Sequence, residues 1–79
     1  MLDEIVIDVI DETIMSMVHD RASISEMAGQ VKRSKGGIQL RLDKLIGGGY
    51  LLPPPRPGLA RSYRLTMKGI DYLRSKGYI

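Results

Sequence analysis

Three consecutive glycines at 47–49, followed by Pro53, Pro54, Pro55, Pro57 and Gly58, divide this 79-residue chain more sharply than any other feature. Proline has no backbone N–H and fixes φ, and clustered glycine ends a helix, so neither a long helix nor a paired central strand can run through 47–58. Regular structure must therefore be built on either side. Tyr50–Leu52 is a short apolar run on one side of the prolines, and Ser62, Tyr63, Arg64, Leu65 alternate polar and apolar on the other. That pattern predicts a two-stranded hairpin with a long basic tip, Tyr63 and Leu65 facing inward and Arg64 outward.

Upstream of the glycines the apolar spacing is helical. Leu2, Ile5, Val6, Val9, Ile10, Ile14, Met17 and Val18 recur at i, i+3, i+4, i+7 and predict a first helix over about 2–18. Strict alternation around Asp8 and the β-branched run Ile5–Ile7 also suit a strand, but length favours the helix. Ser23 or Ser25 is placed to cap a second helix over about 24–31, with Glu26 near its positive end and Met27, Ala28 and Val31 on the buried side. Ser34 caps a third, over about 35–46, whose inward residues are Ile38, Leu42 and Leu45. Two such helices with a two- or three-residue connection make a helix-turn-helix. Thr66 caps a last helix, Met67 to Ser75, with Ile70 and Leu73 inward and Gly77 beyond its end. The expected core is Ile5, Val9, Ile14, Met27, Ala28, Val31, Ile38, Leu42, Leu45, Leu51, Leu65, Ile70 and Leu73.

A chain of this length is expected to make one domain, 1–79, with a single modest core and no walls for a deep cleft, which disfavours an enzyme. There is no cysteine to supply a thiolate, a disulfide or a zinc site, and one histidine, His19, is too few for a multi-histidine centre. His19 instead suits the negative end of the first helix. Asp8, Asp11 and Glu12 are expected on its polar side, as a solvated face and not as paired catalytic carboxylates. Gly47–Gly49 ends a helix instead of opening one, and no Gly-Lys-Ser/Thr follows, so it is not a phosphate cradle. No catalytic residue, metal ligand or cofactor is expected. No apolar run reaches the roughly 18–20 residues of a membrane span, and the N-terminus is acidic; a cytoplasmic protein is expected.

Charge is segregated along the chain. Residues 1–20 carry six carboxylates and no Lys or Arg, formally −6, whereas 21–79 carry all 12 basic residues against Glu26, Asp43 and Asp71, formally +9. A cationic working surface on an anionic support points to a polyanionic partner, nucleic acid first.

Four stretches in order then resemble one family. Ser25-Glu26-Met27-Ala28 looks like the opening of the second helix, and Ser34-Lys35-Gly36-Gly37-Ile38-Gln39-Leu40-Arg41-Leu42-Asp43-Lys44-Leu45 like the recognition helix, of the winged helix-turn-helix DNA-binding domains of prokaryotic transcription regulators. Gly49-Tyr50-Leu51 resembles that family's entry to the wing, and Tyr63-Arg64-Leu65-Thr66-Met67-Lys68-Gly69 the segment that closes it. The resemblance covers nearly the whole chain and is similar to small archaeal and phage-type repressors and to MarR-like or ArsR-like regulators. It implies an α+β winged helix-turn-helix of order helix-helix-helix-strand-strand-helix, and a regulator, a repressor by expectation, that binds double-stranded DNA.

The residues themselves assign parts within that frame. The outward set on the third helix is Lys35, Gly36, Gly37, Gln39, Leu40, Arg41 and Lys44, with Ser34 at its start. Gln39 can read adenine bidentately, Arg41 can reach guanine or a phosphate, and Lys35 and Lys44 suit phosphates. Gly36 and Gly37 are costly in a helix, which suggests close backbone approach to DNA; a frayed helix start is the alternative. Family members often carry Ser or Thr at these two positions and a polar residue where Leu40 stands. Leu40 therefore either meets a thymine methyl or belongs to a protein contact. Arg56, Arg61 and Arg64 put three guanidinium groups on the proline-stiffened wing, 53–62, for phosphate or an A·T minor groove. Surplus apolar surface on the first helix, with Tyr72, Tyr78 and Ile79, predicts a homodimer through that helix, the C-terminal helix, or both. The competing function is a protein-interaction module in which Leu40 and the wing prolines form the docking patch.

Overall fold

The computed structural model describes residues 5–55 and 63–79, and among these it contains four helices and one two-stranded antiparallel sheet. The elements are α1 (Val9–His19), α2 (Ile24–Val31), α3 (Lys35–Gly47), β1 (Leu51–Leu52), β2 (Arg64–Leu65) and α4 (Met67–Ser75). This is a small α+β arrangement in the expected order.

The first helix starts seven residues later than its apolar spacing predicts. Asp8 is the reason: its carboxylate accepts the Asp11 amide at 2.8 Å, and the Asp11 carboxylate accepts the Asp8 amide at 3.1 Å. This reciprocal capping box satisfies two orphan donors and stops the helix from extending backwards. Residues 5–7 precede it without regular structure, Ile5 and Ile7 half-buried against the core and Val6 exposed between them. Val9, five residues before Ile14 and so on a different side of the helix, is 69% exposed and leaves the expected core. The buried positions are instead Asp11, Ile14, Met15 and Val18, a run of i, i+3, i+4, i+7 with a carboxylate at its head. Asp11 is wholly buried, which overturns the reading of Asp8, Asp11 and Glu12 as one solvated face.

The other helices match their local signals. Ser23 caps α2 with a second reciprocal box, accepting the Glu26 amide while the Glu26 carboxylate takes the Ser23 amide. Lys32, at φ 56, turns the chain in the left-handed region, and Ser34 caps α3 through the Gly37 amide at 3.1 Å. Gly48 caps the far end of α3, Gly49 takes a φ of 83, and the Tyr50 amide returns to the Leu45 carbonyl at 2.9 Å. Only three residues, 32–34, separate α2 from α3.

In the sheet Leu51 pairs with Leu65 and Leu52 with Arg64. Leu51 and Tyr63 are buried, Leu65 half-buried and Arg64 exposed, as the alternation required. Thr66 caps α4 by accepting the Gly69 amide, and its hydroxyl donates to the Gly49 carbonyl at 2.6 Å. A Cβ at Gly69 would collide with the Tyr50 carbonyl oxygen, so this glycine lets α4 lie directly on the chain entering β1. The core is Ile14, Met15, Val18, Met27, Ile38, Leu42, Leu45, Leu51, Tyr63 and Leu73, with Ile5, Ala28, Val31 and Leu65 packed at its edge. Among the described residues no helix is long and apolar enough to cross a membrane.

Candidate nucleic-acid interface

The outer face of α3 holds every sequence-predicted site residue except those of the hairpin, and the structure divides them into two groups. At the N-terminal end, Ser34, Lys35 and Gly36 are exposed and Gly37 is half-buried. A Cβ at Gly36 would meet nothing within 4 Å, so the fold itself does not require glycine there. Leu40, one turn on, is 73% exposed. Lys32 and Arg33 in the preceding turn are also exposed, and Arg33 lines a shallow concavity with Gly37, Leu40 and Asp8. Neither entered the sequence-derived site, although their place just before the Ser34 cap marked them. Cationic side chains here also lie around the positive end of a 13-residue helix, which suits an anionic partner.

The C-terminal group is tied inward. Arg41 Nη1 donates to both carboxylate oxygens of Asp8 and to Asp11 Oδ1, all at 3.0 Å, and its side chain is only 24% exposed. Lys44 Nζ ion-pairs with Asp11 Oδ2 and donates to the Val6 carbonyl at 3.1 Å. Asp11 thus receives two cations inside the protein, where an unpaired carboxylate would be costly. The Asp11 amide, then the Arg41 guanidinium, hold the Asp8 carboxyl down at about 2. The two carboxylates correspondingly raise the Arg41 pKa, Asp8 contributing the larger effect. Arg41 and Lys44 were expected to face DNA; the structure places both in a cluster whose two cations and two anions cancel.

Gln39 is also engaged, its Nε2 donating to the Tyr63 hydroxyl at 2.9 Å and to Asp43 Oδ1 at 3.1 Å. Reading adenine bidentately needs one amide N–H and the carbonyl, so Gln39 would first have to release one of these partners. Arg64 stands exposed on β2, opposite Leu52. Arg56 and Arg61, and with them most of the basic wing, lie outside the described residues.

On the other side of α1 the carboxylate of Glu12 accepts the Tyr72 hydroxyl at 2.5 Å and the Tyr78 hydroxyl at 3.1 Å. Donating to Glu12 pushes the Tyr72 pKa up to about 12. The expected dimer tyrosines thus bind α1 to α4 and to the residues that follow it within one chain, with Tyr72 also edge-on to Tyr50 at 5.6 Å. His19 ends α1 as expected, 3.5 Å from Asp20. Among the described residues no group of three His, Asp or Glu side chains is arranged to hold a metal ion.

Comparison with known protein families, curated proteins and solved structures finds no match to this chain.

Proposed function

We propose that this chain is a winged helix-turn-helix domain that binds double-stranded DNA and regulates transcription, acting as a repressor by occluding a promoter. One observation carries the reading. The start of α3 and the turn before it present Lys32, Arg33 and Lys35 around an exposed, sterically open Gly36 and an exposed Leu40, on a helix anchored through Ile38, Leu42 and Leu45. Such a surface suits the major groove: the lysines and arginine meet phosphates, the bare backbone at Gly36 allows close approach, and Leu40 can touch a thymine methyl. Arg64, with Arg56 and Arg61, would extend the contact to the backbone or minor groove.

A module of this size gains affinity by pairing on a two-fold site. Val6, just before α1, and Val9, its first residue, are both exposed and offer an apolar surface for a second copy. Val9→Glu should yield monomers in sedimentation without unfolding the chain; an unchanged dimer removes this end of α1 from the interface.

The test of function is fluorescence anisotropy of the chain's own upstream duplex and of a random duplex at two salt concentrations. Salt-sensitive binding that favours the upstream duplex supports a sequence-reading regulator. The competing reading, a protein-docking module, draws on the exposure of Leu40, Val6 and Val9. It requires duplex binding to be absent even at low salt.

A further inference from the structure

Two of the three cations on α3, Arg41 and Lys44, are already neutralised by the protein. Asp8 is half-exposed at the surface, and it shares the shallow concavity of α3 with Arg33, Gly37 and Leu40 and with the paired Arg41 and Lys44. Its two oxygens accept from Arg41 while Asp11, buried behind it, holds the other Nη1 contact and Lys44. A phosphate approaching the middle of α3 would meet a carboxylate instead of an available cation. Drawing Arg41 or Lys44 away would leave buried Asp11 short of counter-charge, which strongly opposes the exchange.

Resting on the DNA reading above, we propose that Asp8 is a specificity-determining residue of this surface: its exposed carboxylate offsets Arg41, as buried Asp11 holds Lys44, and so confines the α3 contact to residues 32–37 and Leu40. Phosphate contacts supply sequence-independent affinity, whereas discrimination comes from groups at base edges. Neutralising two cations beside Leu40 and Gly37 lowers binding to every duplex while leaving the edge contacts intact, so the ratio of specific to non-specific binding rises. An internal carboxylate is thereby used against the wrong partner, bulk DNA, more than for the right one.

Asp8→Asn tests this directly, because asparagine keeps the oxygen that caps the helix while removing the charge and one of the two oxygens that accept from Arg41. Anisotropy titrations should show this variant binding random duplex about five- to tenfold more tightly at about 0.1 M salt, with a salt slope steeper by about 0.9, one additional phosphate. Its preference for the upstream duplex should shrink. Adding Arg41→Gln to Asp8→Asn should return the slope to the original value, since the cation that Asp8 had offset is then gone as well. Asp8→Ser, which also caps, serves as the second variant should the asparagine impair folding. If the original chain binds duplex DNA and the folded Asp8 variants have the same slope and preference, the proposal is overturned and the DNA reading stands. If neither the original chain nor the variants bind at low salt, the DNA reading fails and the proposal with it.

Discussion

The two ends of α3 carry the same kinds of side chain and do opposite things. Lys35 at the start projects from a solvent-exposed turn, whereas Arg41 and Lys44, about one and a half and two and a half turns later, are held by carboxylates from the start of α1. The difference arises because packing α1 on α3 brings Asp8 and Asp11 within hydrogen-bond distance of Arg41, at 3.0 Å. A lysine or arginine is therefore available to a phosphate only where no closer anion has claimed it. Counting basic residues along a helix overstates its attraction for phosphate.

The sharpest way to break this contrast is at Asp11. Asp11→Ala should cost about 3 kcal/mol in urea unfolding, because two partly buried cations lose their shared partner. Lys35→Ala, at the exposed end, should change stability by less than about 0.5 kcal/mol. Equal effects would mean that the buried network has no special structural weight.

Binding should show the reverse order. Lys35→Ala is expected to weaken all duplexes alike by roughly five- to tenfold at about 0.1 M salt, reducing the salt slope by about 0.9. Lys44→Gln should leave the slope unchanged, and a matching loss would return Lys44 to the phosphate-binding set.

Acid provides a smaller test. The Asp8 pKa is lowered from 3.8 to about 2 in the folded chain, so its contribution is fully present above about pH 4 and is lost as pH falls towards 2. Because the side chain is half-exposed, solvent screening limits this to less than about 1 kcal/mol. Urea midpoints should fall over that window in the original chain and fall less in Asp8→Asn. Parallel curves would assign the acid sensitivity to other carboxylates.

The smallest change is expected at Gly36. With open space for a Cβ, Gly36→Ala should stabilise the chain by roughly 0.5 kcal/mol, measured as a higher urea midpoint. It should also weaken DNA binding if the backbone lies against the duplex. Gly29→Ala on α2, where a Cβ likewise meets nothing, controls for the stability gain alone.

Local signals made most of the architecture legible. Ser23 with Glu26, Ser34 and Thr66 each cap the helix expected of them, and α2 and α4 have the bounds read from the sequence. These devices act over three or four residues, so their partners stand beside them in the chain. The inward Tyr63 and outward Arg64 were legible for the same reason, from the period of a strand. The missed feature also left a trace. Asp11 precedes Ile14, Met15 and Val18 by three, four and seven residues, and therefore belongs to their stripe. Its polarity hid this, because a carboxylate is ordinarily assigned to solvent.

By itself the sequence determined where α2, α3 and α4 begin and turns fall, through caps, glycines, prolines and apolar period. It also determined the segregation of charge between the first 20 residues and the rest. Only the tertiary structure decided which charges remain available to a partner. That outcome depends on Asp8 and Asp11 meeting Arg41 and Lys44 across about 30 residues of chain, a contact made possible by packing α1 on α3. No local propensity encodes such a meeting, since its strength lies in desolvation and distance, and both exist only once the core has closed.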